Sequence, residues 1–151
     1  MKVTGIVIVT ILLLAFIQSS FGQVYQLREV QRFEEVDRNQ KLSADQLLEQ
    51  QAGKQFVMSF LSLSSDQKFR LTSRSYKEMH KTPESLKSIF DKEIYLRIDF
   101  QEVTLFDDAK PQSMTVKANV DWAAEGFEGV QTFHFMLVKE QNEWVLDWLI
   151  H

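Results

Sequence analysis

The chain has 151 residues, of which 44% are apolar, 12% aromatic and 25% charged, and its formal net charge is −4 at pH 7. Twelve Phe and three Trp supply enough apolar surface for folding, which excludes collagen-like, low-complexity and highly charged disordered classes. This sequence contains no Cys, which excludes disulfides and thiolate metal sites, and its mild negative charge gives no basic footprint for nucleic acid.

Residues 1–22 have the pattern of a signal peptide. Lys2 provides a positive start, an apolar run continues to Ile17, and polar and small residues follow as far as Gly22. The run matches the roughly 7 to 15 apolar residues of a signal, whereas a membrane span usually needs about 20. We therefore predict cleavage between Gly22 and Gln23 and export to the periplasm or the medium. The alternative is an uncleaved segment that anchors the protein in the membrane.

Residues 23–42 form the least decided segment. Their apolar residues recur every third position among many charges, a spacing that drifts across the face of a helix. The pattern allows a marginal helix, a strand or a flexible arm, and it favours an arm or marginal helix. The folded domain is expected over residues 43–151.

Helices are predicted next along the chain. A capping box, Ser43-Ala-Asp-Gln46, marks the start of a long amphipathic helix that continues to about Leu61. Ser65 is a second expected cap, before a short helix. Thr82-Pro83-Glu84 predicts a further helix start, because it combines a capping hydroxyl, a proline at the first turn and a carboxylate at the positive helix end.

Four segments with twofold alternation follow the helices and predict strands. They begin near Ile94, Met114, Val130 and Trp144. In the first strand the residues expected to be buried are Ile94, Leu96, Ile98 and Phe100. Helices followed by a meander predict an α+β fold, in which N-terminal helices pack on the concave face of a curved antiparallel sheet of about four strands.

The order of these elements resembles the nuclear transport factor two-like superfamily. The resemblance includes Phe56-Val-Met-Ser-Phe60-Leu, Ser73-Arg-Ser-Tyr76 and the terminal Glu143-Trp-Val-Leu-Asp-Trp148. It implies a cone-like, cystatin-like α+β domain over residues 43–151, a pocket at the open end of the cone and frequent dimerisation through the sheet. It implies no single activity, because the fold is found in isomerases, dehydratases, binding proteins and accessory domains.

The resemblance also suggests acid–base chemistry. Members that resemble ketosteroid isomerase use a pocket carboxylate as base and a Tyr or acid as donor. In this chain Asp99 or Asp121 would be the base, and Tyr76 or Tyr95 the donor. Asp99 alternates with apolar residues and is expected to face solvent. His134 is either a proton shuttle in the cavity or a hydrogen-bonded structural residue.

Aromatic residues supply the candidates for ligand binding. These candidates are Tyr76, Tyr95, Trp122 and His134. Trp122 stands at a strand end and is expected at the rim of the pocket, whereas Trp144 and Trp148 are expected in the core. The three histidines lack the spacing of metal ligands, so no metal and no cofactor are predicted.

The preferred function is non-enzymatic binding of a small apolar ligand, a peptide or an envelope protein through the cone pocket or the sheet face. The alternatives are an acid–base isomerase or dehydratase and an architectural dimerisation domain. No nucleic-acid partner is expected, and membrane contact is expected only through an uncleaved signal segment. Homodimerisation through the sheet is a further alternative. Enzyme and binder differ in whether the candidate acid–base residues converge on one cavity.

Overall fold

The computed structural model describes residues 16–18, 24–29, 42–90, 94–106 and 112–151. The elements in chain order are β1 (Phe16–Gln18), β2 (Val24–Gln26), β3 (Arg28–Glu29), α1 (Ala44–Leu61), α2 (Ser65–Arg70), α3 (Arg74–His80), α4 (Glu84–Phe90), β4 (Ile94–Phe106), β5 (Ser113–Ala124), β6 (Phe127–Glu140) and β7 (Glu143–Ile150). The predicted α+β class, with helices followed by a meander of strands, is confirmed.

The main sheet has five strands in the order β3-β4-β5-β6-β7, and β1 pairs separately with β2. Strands β4 to β7 form the predicted antiparallel meander. Strand β3 runs parallel to β4, with Arg28 beside Arg97 and Glu29 beside Ile98. The sheet is therefore mixed, and the prediction of about four antiparallel strands missed the short parallel strand at its edge.

That edge strand comes from the undecided N-terminal segment. Residues 24–29 are extended apart from Leu27, rather than helical. Leu27 is buried in the core, and its neighbours Arg28 and Glu29 are exposed. Pairing of β3 with β4 and burial of Leu27 thus decide the structure of this segment, against the weak helical tendency of its three-residue apolar spacing. Residues 30–41 and the predicted cleavage site at Gly22 and Gln23 lie outside the described residues.

The long helix α1 begins and ends as predicted. The Ser43 hydroxyl accepts from the Gln46 amide at 3.2 Å, and the Ser43 amide donates to Gln46 Oε1 at 2.8 Å. Gly53 lies where this helix meets β5, and a Cβ at that position would overlap the Sδ of Met114. The missing side chain therefore allows the helix and the sheet to approach closely.

The second helix is capped one residue earlier than predicted. Ser64, rather than Ser65, accepts from the Gln67 amide, and the Gln67 side chain accepts in return from the Ser64 amide. The three-residue spacing of a capping box selects Ser64, while Ser65 is buried.

The first long strand, β4, does not keep the simple alternation that its sequence suggested. Its pairing with β5 shifts between Tyr95 and Arg97 and again between Phe100 and Glu102. Tyr95 is consequently buried and Leu96 only half-buried, which corrects the prediction for this part of the strand. An extra residue at a bulge changes which side chains face the core.

The core between helices and sheet is aromatic. Phe60 of α1 lies 5.8 Å from Phe90 and 6.4 Å from Phe135, centroid to centroid, and Phe90 stacks on Phe133 at 5.6 Å. Lys68 is buried beside these rings: its Nζ lies 5.1 Å from the Phe90 centroid and donates to the Leu63 carbonyl. The rings hold α1 and α4 to the sheet, and the carbonyl together with the ring faces stabilises the buried ammonium group.

We predict that Gly53→Ala destabilises the protein by up to about 2 kcal/mol in urea unfolding. Alanine favours a helix interior by about 1 kcal/mol over glycine, but overpacking against Met114 costs about 1 to 3 kcal/mol. In a Met114→Ala background the steric cost disappears, so the same substitution should become neutral or stabilising. A loss of equal size in both backgrounds would contradict the close helix–sheet contact.

Candidate functional site

The space between the helices and the sheet, where the sequence placed a pocket, is occupied by side chains. The largest fully buried ones are Phe60, Phe90, Phe133, Phe135, Leu86, Ile98, Met114, Leu137, Leu146, Val57, Val116 and Val120. They come from α1, α4 and strands β4 to β7. The two candidate tyrosines belong to this packed interior.

Tyr76 lies in the helical layer on α3. It is buried, its hydroxyl is 3.0 Å from Ser85 Oγ, and its ring lies 4.2 Å from that of His80. Tyr95 lies on β4, with its ring 6.0 Å from Phe90 and 6.4 Å from Phe133. Burial and these contacts give both rings a packing role.

The other acid–base candidates lie on the opposite side of the sheet. Asp121 forms an ion pair with Arg97 at 2.9 Å, and Asp99 pairs in register with Asn119. His134 alternates with the buried residues Phe133 and Phe135, so it points away from them.

The sheet therefore separates the predicted donors from the predicted bases. Tyr76 and Tyr95 belong to the helical side, whereas Asp99, Asp121 and His134 project from the outer side. These candidates do not meet around one cavity, so the arrangement supplies no base and donor facing a common substrate.

Trp122 is half-buried at the end of β5 and packs over Gly129, where a Cβ would come within 2.7 Å of its ring. Close by, an open cleft of about 490 Å³ is formed by the turn between β5 and β6 together with Ile94. The cleft is lined by Ile94, Ala123, Ala124, Glu125, Gly126, Phe127 and Glu128. None of the residues predicted to bind a ligand lines it.

The sequence interpretation missed an apolar surface on the outer side of β6 and β7, which we call the outer patch. It consists of Met136, Val138, Val145, Trp148 and Ile150. Trp148 pairs with Met136, Ile150 with His134, and Val145 with Val138, so these side chains are neighbours across two strands. The exposed fractions are 38% for Met136, 39% for Trp148 and 54% for Ile150.

A register shift explains why Trp148 is in the patch and not in the core. The pairing of β6 with β7 shifts between Met136 and Leu137, so that Leu137 is opposite Leu146 and Met136 is opposite Trp148. Trp144 remains on the helical side, where its Nε1 donates to Glu49 of α1 at 3.0 Å. The prediction that both tryptophans fill the core is thus wrong for Trp148.

The segment before α3 holds the edge of β7 in place. Thr72 forms a parallel bridge to Leu146, and the Ser73 amide donates to the Leu146 carbonyl at 2.7 Å. The Ser73 hydroxyl also donates to Asp147 Oδ1 at 2.6 Å. His80 then lies 6.1 Å from Trp148, ring to ring. These contacts fix Trp148 at one side of the outer patch.

Within the described residues, no group of three or more His, Asp or Glu is arranged to hold a metal ion. None of the helices described here has the length and apolar character required to cross a bilayer.

Comparison with solved structures finds weak likeness only, as one neighbour illustrates. The chain resembles a SEC-C motif containing protein from Rhodopseudomonas palustris, solved in solution, with 11% identity over 70% of this chain and 72% of that chain and a TM-score of 0.44. No family model and no curated protein matches the chain. Agreement at this level assigns no function.

The predicted membership of the nuclear transport factor two-like superfamily is wrong. None of these comparisons points to that superfamily, and the structural neighbour is described by another motif. The prediction rested on element order and a tryptophan-bearing last strand, which many domains with helices before a meander can share.

We predict that His134→Ala changes the free energy of unfolding by no more than about 0.5 kcal/mol, because the imidazole projects from the outer side of the sheet. Its neighbour Phe135 is buried, and Phe135→Ala should cost about 3 to 5 kcal/mol. Urea unfolding of both variants measures the difference. A His134→Ala loss comparable with that of Phe135→Ala would place the histidine in the core.

Proposed function

We propose that this protein is a non-catalytic interaction domain that binds another protein through the outer patch. The observation that carries the proposal is the position of its exposed apolar residues. Met136, Trp148 and Ile150 lie together on the side of the sheet that none of the described helices covers, while the other side is packed against helices. Clustered apolar side chains at a surface are characteristic of interaction sites.

The shape and composition of this surface favour a protein over a small ligand. Small-molecule sites are usually concave and enclose most of the ligand. The outer patch instead lies on one face of paired strands, and the packed interior replaces the cone pocket that the sequence suggested. Tryptophan and methionine are enriched in the cores of protein interfaces. We therefore retain the sheet face, and not the pocket, as the binding surface.

An acid–base isomerase or dehydratase has less support. Such an enzyme requires a base and a donor on the same substrate, yet Asp99 and Asp121 lie across the sheet from Tyr76 and Tyr95. The open cleft at the turn between β5 and β6 is lined by none of these four residues.

Export is part of the proposal and rests on the sequence of residues 1–22. An exported protein would meet its partner in the periplasm or outside the cell, so the partner is expected to be an envelope or secreted protein. The membrane-anchored alternative leaves the outer patch and its role unchanged.

The proposal can be tested by site-specific photo-crosslinking in the cell that produces the protein. A photoreactive phenylalanine analogue replaces Ile150 in the patch or, as a control, Phe127, which is 73% exposed at the turn between β5 and β6. We expect a discrete protein adduct from position 150 and none from position 127. Mass spectrometry then identifies the protein in the adduct.

Two results would contradict the proposal. One is the absence of any adduct from position 150 while the protein is folded and the probe is incorporated. The other is an identical set of adducts from both positions, which would show general exposure and not a binding surface.

A further inference from the structure

We infer that the partner binds through an acidic segment, which extends from the outer patch onto the basic surface of α2 and α3. This inference rests on the proposed function and adds the chemistry of the partner. Three observations carry it: the local excess of basic residues on these two helices, their position beside the edge of β7, and the acidic residues on the β4 and β5 part of the sheet face.

The surface of α2 and α3 is basic in a chain that is acidic overall. The chain has 17 Lys and Arg against 21 Asp and Glu. Between residues 69 and 83 the balance is reversed, because Arg70, Arg74, Lys77 and Lys81 are accompanied by Glu78 alone. Arg74 forms an ion pair with Glu78 at 2.9 Å, whereas the other three basic residues form no ion pair within the described part of the chain. Their charges are therefore left for a partner with acidic groups.

These basic residues border the apolar side chains of β7. Arg70 comes directly before the segment whose backbone pairs with Leu146 of β7. Lys81 follows His80, whose ring lies 6.1 Å from that of Trp148. Since Trp148 is at the side of the outer patch next to α3, a bound chain that covers its ring and continues over α3 passes from apolar to basic side chains. An apolar contact with charges at its margin is the usual composition of a protein interface.

Met79 adds an exposed apolar side chain to the same helix. Its exposed fraction is 60%, and it lies between the basic residues Lys77 and Lys81 in the sequence. A segment that combines apolar and acidic residues can contact both kinds of group, since its carboxylates pair with the ammonium groups while its apolar side chains cover Met79. Complementary charges at the margin of an interface speed association and select the partner.

The charges on β4 and β5 favour a narrow segment over an anionic membrane. Of the basic residues on the outer side of these strands, Arg97 pairs with Asp121 at 2.9 Å and Lys117 is opposite Glu102. Asp99 adds a further carboxylate to the same side. A bilayer broad enough to cover the whole face would bring lipid phosphates against these carboxylates, without an excess of basic groups to attract them. A single chain segment along β7 and α3 avoids them.

The inference is tested first by photo-crosslinking of the full chain in the cell that produces it. The photoreactive phenylalanine analogue replaces Met79 in one variant and Ile150 in another, and mass spectrometry sequences the crosslinked peptide of each adduct. We expect both positions to label one protein. The peptide crosslinked at position 79 should contain more Asp and Glu than Lys and Arg.

Charge reversal then tests the basic residues themselves. The crosslinked protein is purified and labelled with a fluorophore, and its Kd for the purified full chain is measured by fluorescence anisotropy. Arg70→Glu/Lys81→Glu should raise the Kd at least tenfold, because two attractions become repulsions. Arg28→Glu/Lys87→Glu is the matched control, since it makes the same exchanges at exposed residues of β3 and α4, and it should change the Kd less than twofold. Circular dichroism identifies variants that remain folded.

Three results would overturn the inference and leave the proposed function intact, provided that position 150 gives a protein adduct. They are the absence of an adduct from position 79, a crosslinked peptide there without an excess of acidic residues, and an equal rise in Kd for the two folded double variants. Adducts with lipid alone would show a membrane surface as the partner, and the absence of any adduct from position 150 would show no partner at the patch. Either of these outcomes overturns the proposed function as well.

Discussion

The contact on which the structure depends most is the packing of helix-borne aromatic rings on the sheet. Phe60 from α1 and Phe90 from α4 meet Phe133 and Phe135 of β6 at centroid distances between 5.6 and 6.4 Å. These rings join helices that are distant in sequence from the strand they cover, and they fill the volume between the two layers. The absence of a side chain at Gly53 allows α1 to lie close to Met114 on the same surface.

Side chains fill the space between the helices and the sheet, so a surface that could bind a large partner lies outside this core. The helical side of the sheet is filled by core side chains. The opposite side is the broad sheet surface that none of the described helices covers. That side carries charged residues on β4 and β5, and the outer patch lies on β6 and β7 beside His134. The proposed interaction domain rests on this division: in that proposal the sheet face binds the partner and the helical layer has a structural role.

The sequence predicted the local structure well where one strong signal was present. The capping box at Ser43, the start of a helix beside Pro83 and the alternation of β5 each correspond to the structure. The prediction failed where a shift in strand pairing interrupted the alternation of buried and exposed side chains. Bulges reversed the expected burial of Tyr95 and moved Trp148 to the surface, and a bulge leaves no clear mark in an alternating pattern. The outer patch was missed for the same reason, since Trp148 was expected in the core together with Trp144. The buried Lys68 also escaped notice, because the Phe60 and Phe90 rings beside it come together only in the fold.

The closed interior can be tested directly by NMR with phenylalanine ring labels and a soluble paramagnetic probe. Phe60, Phe90, Phe133 and Phe135 are fully buried, whereas Phe127 is 73% exposed and Phe106 is 48% exposed. The probe should broaden the ring signals of Phe106 and Phe127 and leave those of the four core rings sharp. Strong broadening of the core rings would show a solvent-filled cavity between helices and sheet, and would contradict the account of a packed core with its binding surface outside.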